Sequence, residues 1–231
     1  MCRIHMLLKF GTKEHMEMLR DGKVFFGTRK LYNEISSNGN NNIGDKYEGV
    51  FPIKNCSIQL IDAKTKQLIV KGMGTLVQSD NRVDDIPFFS CTYLSDDNIN
   101  ENNNIVFDDN FKKCFMNEEG WDYVLTINPV EFLKRIRNKL NGINVLAKTI
   151  NYSDYDYVEV RRDKAMSENI KNILLWKDIK YSFQKEFRII LENKDIDNDN
   201  KFILDIGDIS DISYLFSKDD WFNLDLSINI E

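Results

Sequence analysis

The late stretch Tyr181-Ser182-Phe183-Gln184-Lys185-Glu186-Phe187-Arg188-Ile189-Ile190-Leu191 places an amide, a carboxylate and a guanidinium close together. Side chains of an extended chain alternate, so Glu186 and Arg188 share one face, with Phe187 and Ile189 opposite, and Gln184 points to the Glu186 side. Two readings stand open. The pattern suits a half-buried strand with a surface Glu–Arg pair, and it equally suits a carboxylate fixed for a reaction. A second stretch, Phe88-Phe89-Ser90-Cys91-Thr92-Tyr93, offers hydroxyls on a strand, where Ser90 is either a small core residue or a ligand-holding hydroxyl.

Other constellations fail on spacing. The run Asp195-Ile196-Asp197-Asn198-Asp199-Asn200 suggests calcium, yet an EF-hand loop needs Gly sixth and Glu twelfth, where Asn200 and Ile206 stand. It reads as a solvated hairpin turn. His5 and His15 form no pair with a nucleophile, and no GxSxG, HExxH, Walker A or GxGxxG occurs. Cys2, Cys56, Cys91 and Cys114 lie too far apart in sequence for a zinc ribbon or finger. No metal is expected. Lys134, Arg135, Arg137 and Lys139 read as a wet helix face, with phosphate contact the alternative.

Those residues need elements to hold them. Arg3–Phe10 is an apolar strand, Thr12 caps a helix over Lys13–Asp21, and Gly22 stops it before the strand Lys23–Gly27. Ser36–Tyr47 is an Asn/Gly-rich loop. Ser57–Ile61 and Gln67–Val70 form a hairpin, and Ile86–Tyr93 and Trp121–Ile127 read as strands. Asn128 as N-cap, Pro129 at the first helical position and Glu131 open a helix to about Leu140. Strands are expected at Asn144–Ile150 and Asp156–Val160, and a helix at Ala165–Leu175. Phe187–Leu191 and Lys201–Ile206 are expected to form a β-hairpin. Many strands and three helices, not in strict alternation, predict a single α+β domain over residues 1–231, with a central, mostly antiparallel split sheet and peripheral helices.

Taken in order over about residues 7–192, three parts carry a resemblance: the opening strand–helix–strand with Leu31-Tyr32-Asn33 and Gly44-Asp45-Lys46-Tyr47-Glu48, then the Ser90 strand, then the Gln184–Arg188 strand. The chain resembles a bacterial and phage domain family of unknown function, often seen near defence genes. That family carries Tyr-Thr-Ser, then Asn-Asp-Pro-Phe-Glu, a Cys-Ser-Phe-Ser strand and a late Gln/Glu-x-Glu-aromatic-Arg. Gly44–Glu48 departs from Asn-Asp-Pro-Phe-Glu, and the family's Trp-x-x-Tyr-Ala segment after the serine strand is missing. A more distant resemblance is to ADP-ribosyltransferases of the Arg–Ser–Glu type, which implies their fold and NAD as substrate. Arg3 would then pair with the pyrophosphate and Ser90 would brace the ribose, with Thr92 and Arg188 beside them in the cofactor-binding set. Gln184 would orient the acceptor, and Phe26 and Tyr32 would stack on nicotinamide. Glu186 would stabilise the oxocarbenium-like centre that forms as the nicotinamide–ribose bond breaks. A non-catalytic module of the same fold, binding a nucleotide or a protein in defence or counter-defence, is the competing expectation. Solvated Arg3 and a packing role for Tyr32 are the plainer readings of those two residues.

Composition sets the limits. With 231 residues, 42 % hydrophobic and 29 % charged, the chain is globular. Its 31 basic and 37 acidic residues leave a net charge of −6, which argues against bulk nucleic-acid binding. The opening lacks a secretory signal pattern and no apolar run approaches a membrane span, so a cytoplasmic, non-membrane protein with reduced thiols is expected.

Overall fold

The structure, a computed structural model, describes residues 3–37, 47, 49–194, 196 and 200–227. Most of the Asn/Gly-rich loop, including Gly44-Asp45-Lys46 and Glu48, lies outside the described residues, as does most of the acidic run 195–200. In chain order the elements begin with β1 (Ile4–Gly11), α1 (Lys13–Arg20), β2 (Lys23–Gly27) and α2 (Arg29–Ser37). A long hairpin, β3 (Phe51–Ile61) and β4 (Leu68–Gln78), precedes β5 (Phe88–Ser95), α3 (Asp109–Met116), β6 (Tyr123–Ile127) and α4 (Pro129–Lys139). Then come β7 (Val145–Thr149), β8 (Asn151–Ser153), α5 (Val160–Glu168), β9 (Trp176–Asp178), β10 (Glu186–Leu191), β11 (Lys201–Asp205), β12 (Ser213–Ser217) and α6 (Lys218–Asn223).

The fold is mixed α/β around an eight-stranded sheet in order β11-β2-β5-β1-β6-β12, with β10 and β7 branching from β5. Every pairing within it is antiparallel. Among the described residues the one parallel pair is the short β8–β9 sheet. Local signals fix the flanking helices. Thr12 accepts from the His15 N–H at the start of α1, and Asn128 accepts from Val130 and Glu131 ahead of Pro129 in α4. Phe132, Ile136 and Leu140 recur at helical spacing and face the sheet, while Arg135 on the outer face reaches the Asp208 carbonyl and pairs with Asp211.

The two sheet faces are packed differently. On one, Leu7, Phe89, Cys91, Phe187 and Ile189 join α1 and α4 in one continuous core. The other carries two separate clusters: Phe88 and Ile190 pack with Phe51 and Ile173–Leu175, whereas Leu8, Phe10 and Leu94 pack with α3 and α6. Between these clusters the same face turns polar. Register sets Ser90 opposite Arg188 and Thr92 opposite Glu186, one step from the apolar pair Phe88–Ile190.

Several expectations are corrected. β10 and β11 form no hairpin: β10 lies between β5 and β7, and β11 pairs with β2. The next partner in sequence lost to strands that complete the central sheet. Asp156–Val160 is not a strand, because Asp154 turns the chain onto α5, with its side chain bonding the Asp156 N–H. The helix expected over Ala165–Leu175 is α5 followed by a 3-10 turn, Ile170–Leu175, capped by Asn169, which points Ile173, Leu174 and Leu175 into the core together. Six α-helices are present among the described residues rather than three.

Candidate functional site

A cleft of about 110 Å³ opens on the polar step of the sheet. Its floor is Ser90, Thr92, Glu186 and Arg188 from β5 and β10, its walls include Tyr32, Phe88, Phe10, Phe115 and Trp121, and Lys177 and Gln184 close one side. Glu186, the centre of the floor, is 5 % exposed. One of its oxygens takes the Arg188 Nε–H at 2.5 Å and the other takes Lys177 Nζ at 2.8 Å. The small β8–β9 sheet sets Tyr152 beside Lys177, and the Tyr152 hydroxyl accepts the Glu186 N–H at 2.9 Å. Lys177 also donates to Gln184 Oε1 at 2.9 Å, and Arg188 donates to the Leu174 carbonyl at 2.6 Å with its guanidinium 4.6 Å from the Phe88 ring centre.

Electrostatics follow from this geometry. Burial alone would raise the Glu186 carboxyl, but Arg188 and then Lys177 outweigh it by charge and hydrogen bond. The carboxyl is held far below the usual range and stays ionised. Burial raises the Tyr152 phenol, and pushes the Cys91 thiol up to about 12 on the opposite face. Lys9 sits where the β1–β5 pairing runs out at Leu8–Thr92, and donates to the Ser90 carbonyl at 2.6 Å. Burial draws its ammonium below the ordinary lysine range.

The sequence-predicted residues divide cleanly. Glu186, Gln184, Ser90, Thr92, Arg188 and Tyr32 line one cleft. Arg3 does not: it lies at the far end of β1, exposed, with its N–H on Asp96, five residues and roughly 16 Å along the strand from Leu8. Phe26 is fully buried between Phe89 and Phe202 and stacks on nothing in the cleft, since its place on β2 faces the continuous core. Glu186 and Arg188 alternate against Phe187 and Ile189 as expected, but their pair is buried rather than on the surface. Gln184 reaches the Glu186 side by another route than strand alternation. It ends the 3-10 turn Ile179–Gln184, and Lys185, at φ +41°, turns the chain in the left-handed region between the two residues.

Sequence reasoning missed Lys177, Trp121, Phe10 and Phe115. Lys177 sits within Trp176-Lys177-Asp178, and a lysine beside a tryptophan in an apolar run was the available signal. Tyr32 can lie over β2 because Gly27 has no side chain: a Cβ there would come within 3.0 Å of the tyrosine ring. Among the described residues no group of three or more His, Cys, Asp or Glu side chains could hold a metal ion, and no helix is long and apolar enough to cross a membrane. No protein-family model matches the chain, and neither a curated protein nor a solved structure matches it.

Proposed function

We propose that the cleft binds a nucleotide through its ribose and that the chain acts on NAD, as an ADP-ribosyltransferase of a macromolecule or as an NAD hydrolase, in phage–host conflict. The observation that carries this reading is Glu186, an ionised carboxylate fixed on the cleft floor beside Ser90, Thr92 and Gln184. Breaking the nicotinamide–ribose bond sends the electron pair out with nicotinamide and leaves positive charge on the sugar. In this reading Glu186 stabilises that charge once the sugar draws one of its oxygens from Lys177, since with Lys177 and Arg188 both in place the cluster is net positive. Because its proton affinity is so low, Glu186 works by charge and not as a base. In this reading Ser90 and Thr92, whose own hydroxyl donates to the Gln184 carbonyl at 2.9 Å, hold sugar hydroxyls, and Tyr32 and Trp121 stack on the nicotinamide ring. A cleft of about 110 Å³ is small beside common ligand pockets of roughly 300–1,000 Å³, so the rest of a dinucleotide extends beyond its mouth.

A second reading rests on the pairing itself. Both Glu186 oxygens are engaged by Lys177 and Arg188, which suits a nucleotide- or protein-binding module without turnover. The deciding experiment measures NAD loss and label transfer to lysate by wild type, Gln184→Ala and Glu186→Gln, with the thermal midpoint of each recorded. Turnover lost in folded Glu186→Gln supports the enzyme. A midpoint raised by NAD without turnover supports the binding module, and neither effect refutes both nucleotide readings.

A further inference from the structure

The β3–β4 hairpin stands apart from the eight-stranded sheet and pairs with no other strand among the described residues. Its outer half is unusually apolar for an exposed element: Leu60 is 56 % exposed, Val70 58 % and Met73 70 %. The pairs Cys56–Gly74, Ile58–Gly72 and Leu60–Val70 share one face, and none of these six side chains is charged or amide-bearing. Ser57, Met73, Gln59 and Lys71 point to the other face, so the exposure of Met73 does not belong to the uncharged one.

The uncharged face has a shape. Ile58 lies over Gly74, where a Cβ would meet its Cδ1 at 2.6 Å, so that glycine is used within the hairpin. Gly72 differs. A Cβ there would meet nothing within 4 Å, and no left-handed backbone requires glycine. A mid-strand glycine weakens a strand unless another backbone or ligand approaches it closely. The face therefore presents a bulky end, Leu60 and Val70, next to a notch at Gly72.

We infer that this face is a homodimer interface, with the hairpins of two copies packed face to face and antiparallel. A two-fold axis between them lays Leu60 and Val70 of each copy over the Gly72 notch of the other, an isologous contact that a bulky end and a notch on one face make self-complementary. Charge favours the same arrangement. Lys64, Lys66 and Lys71 against Asp62 make residues 55–77 two charges positive on a chain of net −6, leaving −8 on the remainder. Antiparallel packing carries each lysine-bearing tip toward the acidic body of its partner, whereas parallel packing would set tip against tip. A two-stranded face is small, so the dimer is dissociable.

Sedimentation velocity of the full chain over a hundredfold concentration range tests the assignment. Wild type shifts reversibly from monomer to dimer mass as concentration rises, and the shift weakens with salt. Leu60→Lys abolishes it. Gly72→Val, which suits a strand better than glycine and whose Cβ meets nothing in its own chain, also abolishes it while leaving the thermal midpoint of the monomer unchanged or higher. Wild type that stays monomeric throughout overturns the proposal, including the case in which it sediments with anionic vesicles or another protein instead. A dimer that persists in Gly72→Val and Leu60→Lys overturns it as well.

Discussion

Replacing Glu186 by glutamine removes the one negative charge between two buried cations and keeps the shape of the side chain. Lys177 is 8 % exposed and Arg188 1 %, so neither can turn to water. Gln offers one acceptor oxygen and sets an NH2 group against the second cation. Breaking a buried pair from one side costs about 3–5 kcal/mol, because the remaining charge stays desolvated. For a chain of this length each kcal/mol moves the thermal midpoint by about 2–4 °C, so Glu186→Gln should melt roughly 6–20 °C below wild type. Adding Lys177→Met should then return part of that loss. A double-mutant cycle read by chemical denaturation should give a coupling of about 1–3 kcal/mol between the two positions. The pH dependence has a defined sign. The folded carboxyl titrates below its ordinary value of 4.5, so its contribution is fully present above about pH 4.5 and is lost as pH falls toward the lower folded value. The acid arm of wild-type stability should therefore be steeper than that of Glu186→Gln. A loss under about 1 kcal/mol, or Lys177 and Glu186 effects that simply add, would refute the argument that this cluster is a desolvated, mutually dependent unit.

Two further outcomes test the site's supports. Lys185 holds φ +41°, so Lys185→Gly should be neutral or slightly stabilising and Lys185→Val should cost about 1–2 kcal/mol, both read from denaturant midpoints. Equal effects would mean that the turn between Gln184 and Glu186 relaxes freely. With its thiol pushed up to about 12 and only 5 % exposed, Cys91 should resist an alkylating reagent at pH 8 in the folded protein, while half-buried Cys56 and Cys114 react. Peptide mapping reads this directly, and early labelling of Cys91 would contradict its packing against the Phe187 carbonyl.

What the sequence made legible followed local physics. The Thr12 and Asn128 caps, the apolar run of β1, the boundaries of Lys23–Gly27 and the alternation through Glu186–Leu191 all lie in neighbouring residues. What it concealed depends on distance. That β10 pairs with β5 rather than β11 is decided by strands nearly a hundred residues apart. The hairpin is longer than expected, Phe51–Ile61 with Leu68–Gln78, because cross-strand pairing continues through Gly72 and Gly74 to Phe51–Gln78. At the cleft, residue order assembled Ser90, Thr92, Gln184, Glu186 and Arg188. The same order also added Arg3, although its place just before β1 puts it at the end of that strand away from the cleft. Lys177 escaped because its task comes from the β8–β9 pairing and not from any motif.

The branched sheet also governs when the cleft comes into being during synthesis. Ser90 and Thr92 leave the ribosome early, but Lys177, Gln184, Glu186 and Arg188 follow 85 to 98 residues later, and β10 must then insert between β5 and β7. Closing so long a loop is slow relative to local helix formation, and domains assemble as their last strands emerge. A nascent or prematurely terminated chain that ends before β9 thus carries half a floor and no carboxylate. Whatever the cleft does is withheld until translation has delivered the sheet's inner strand.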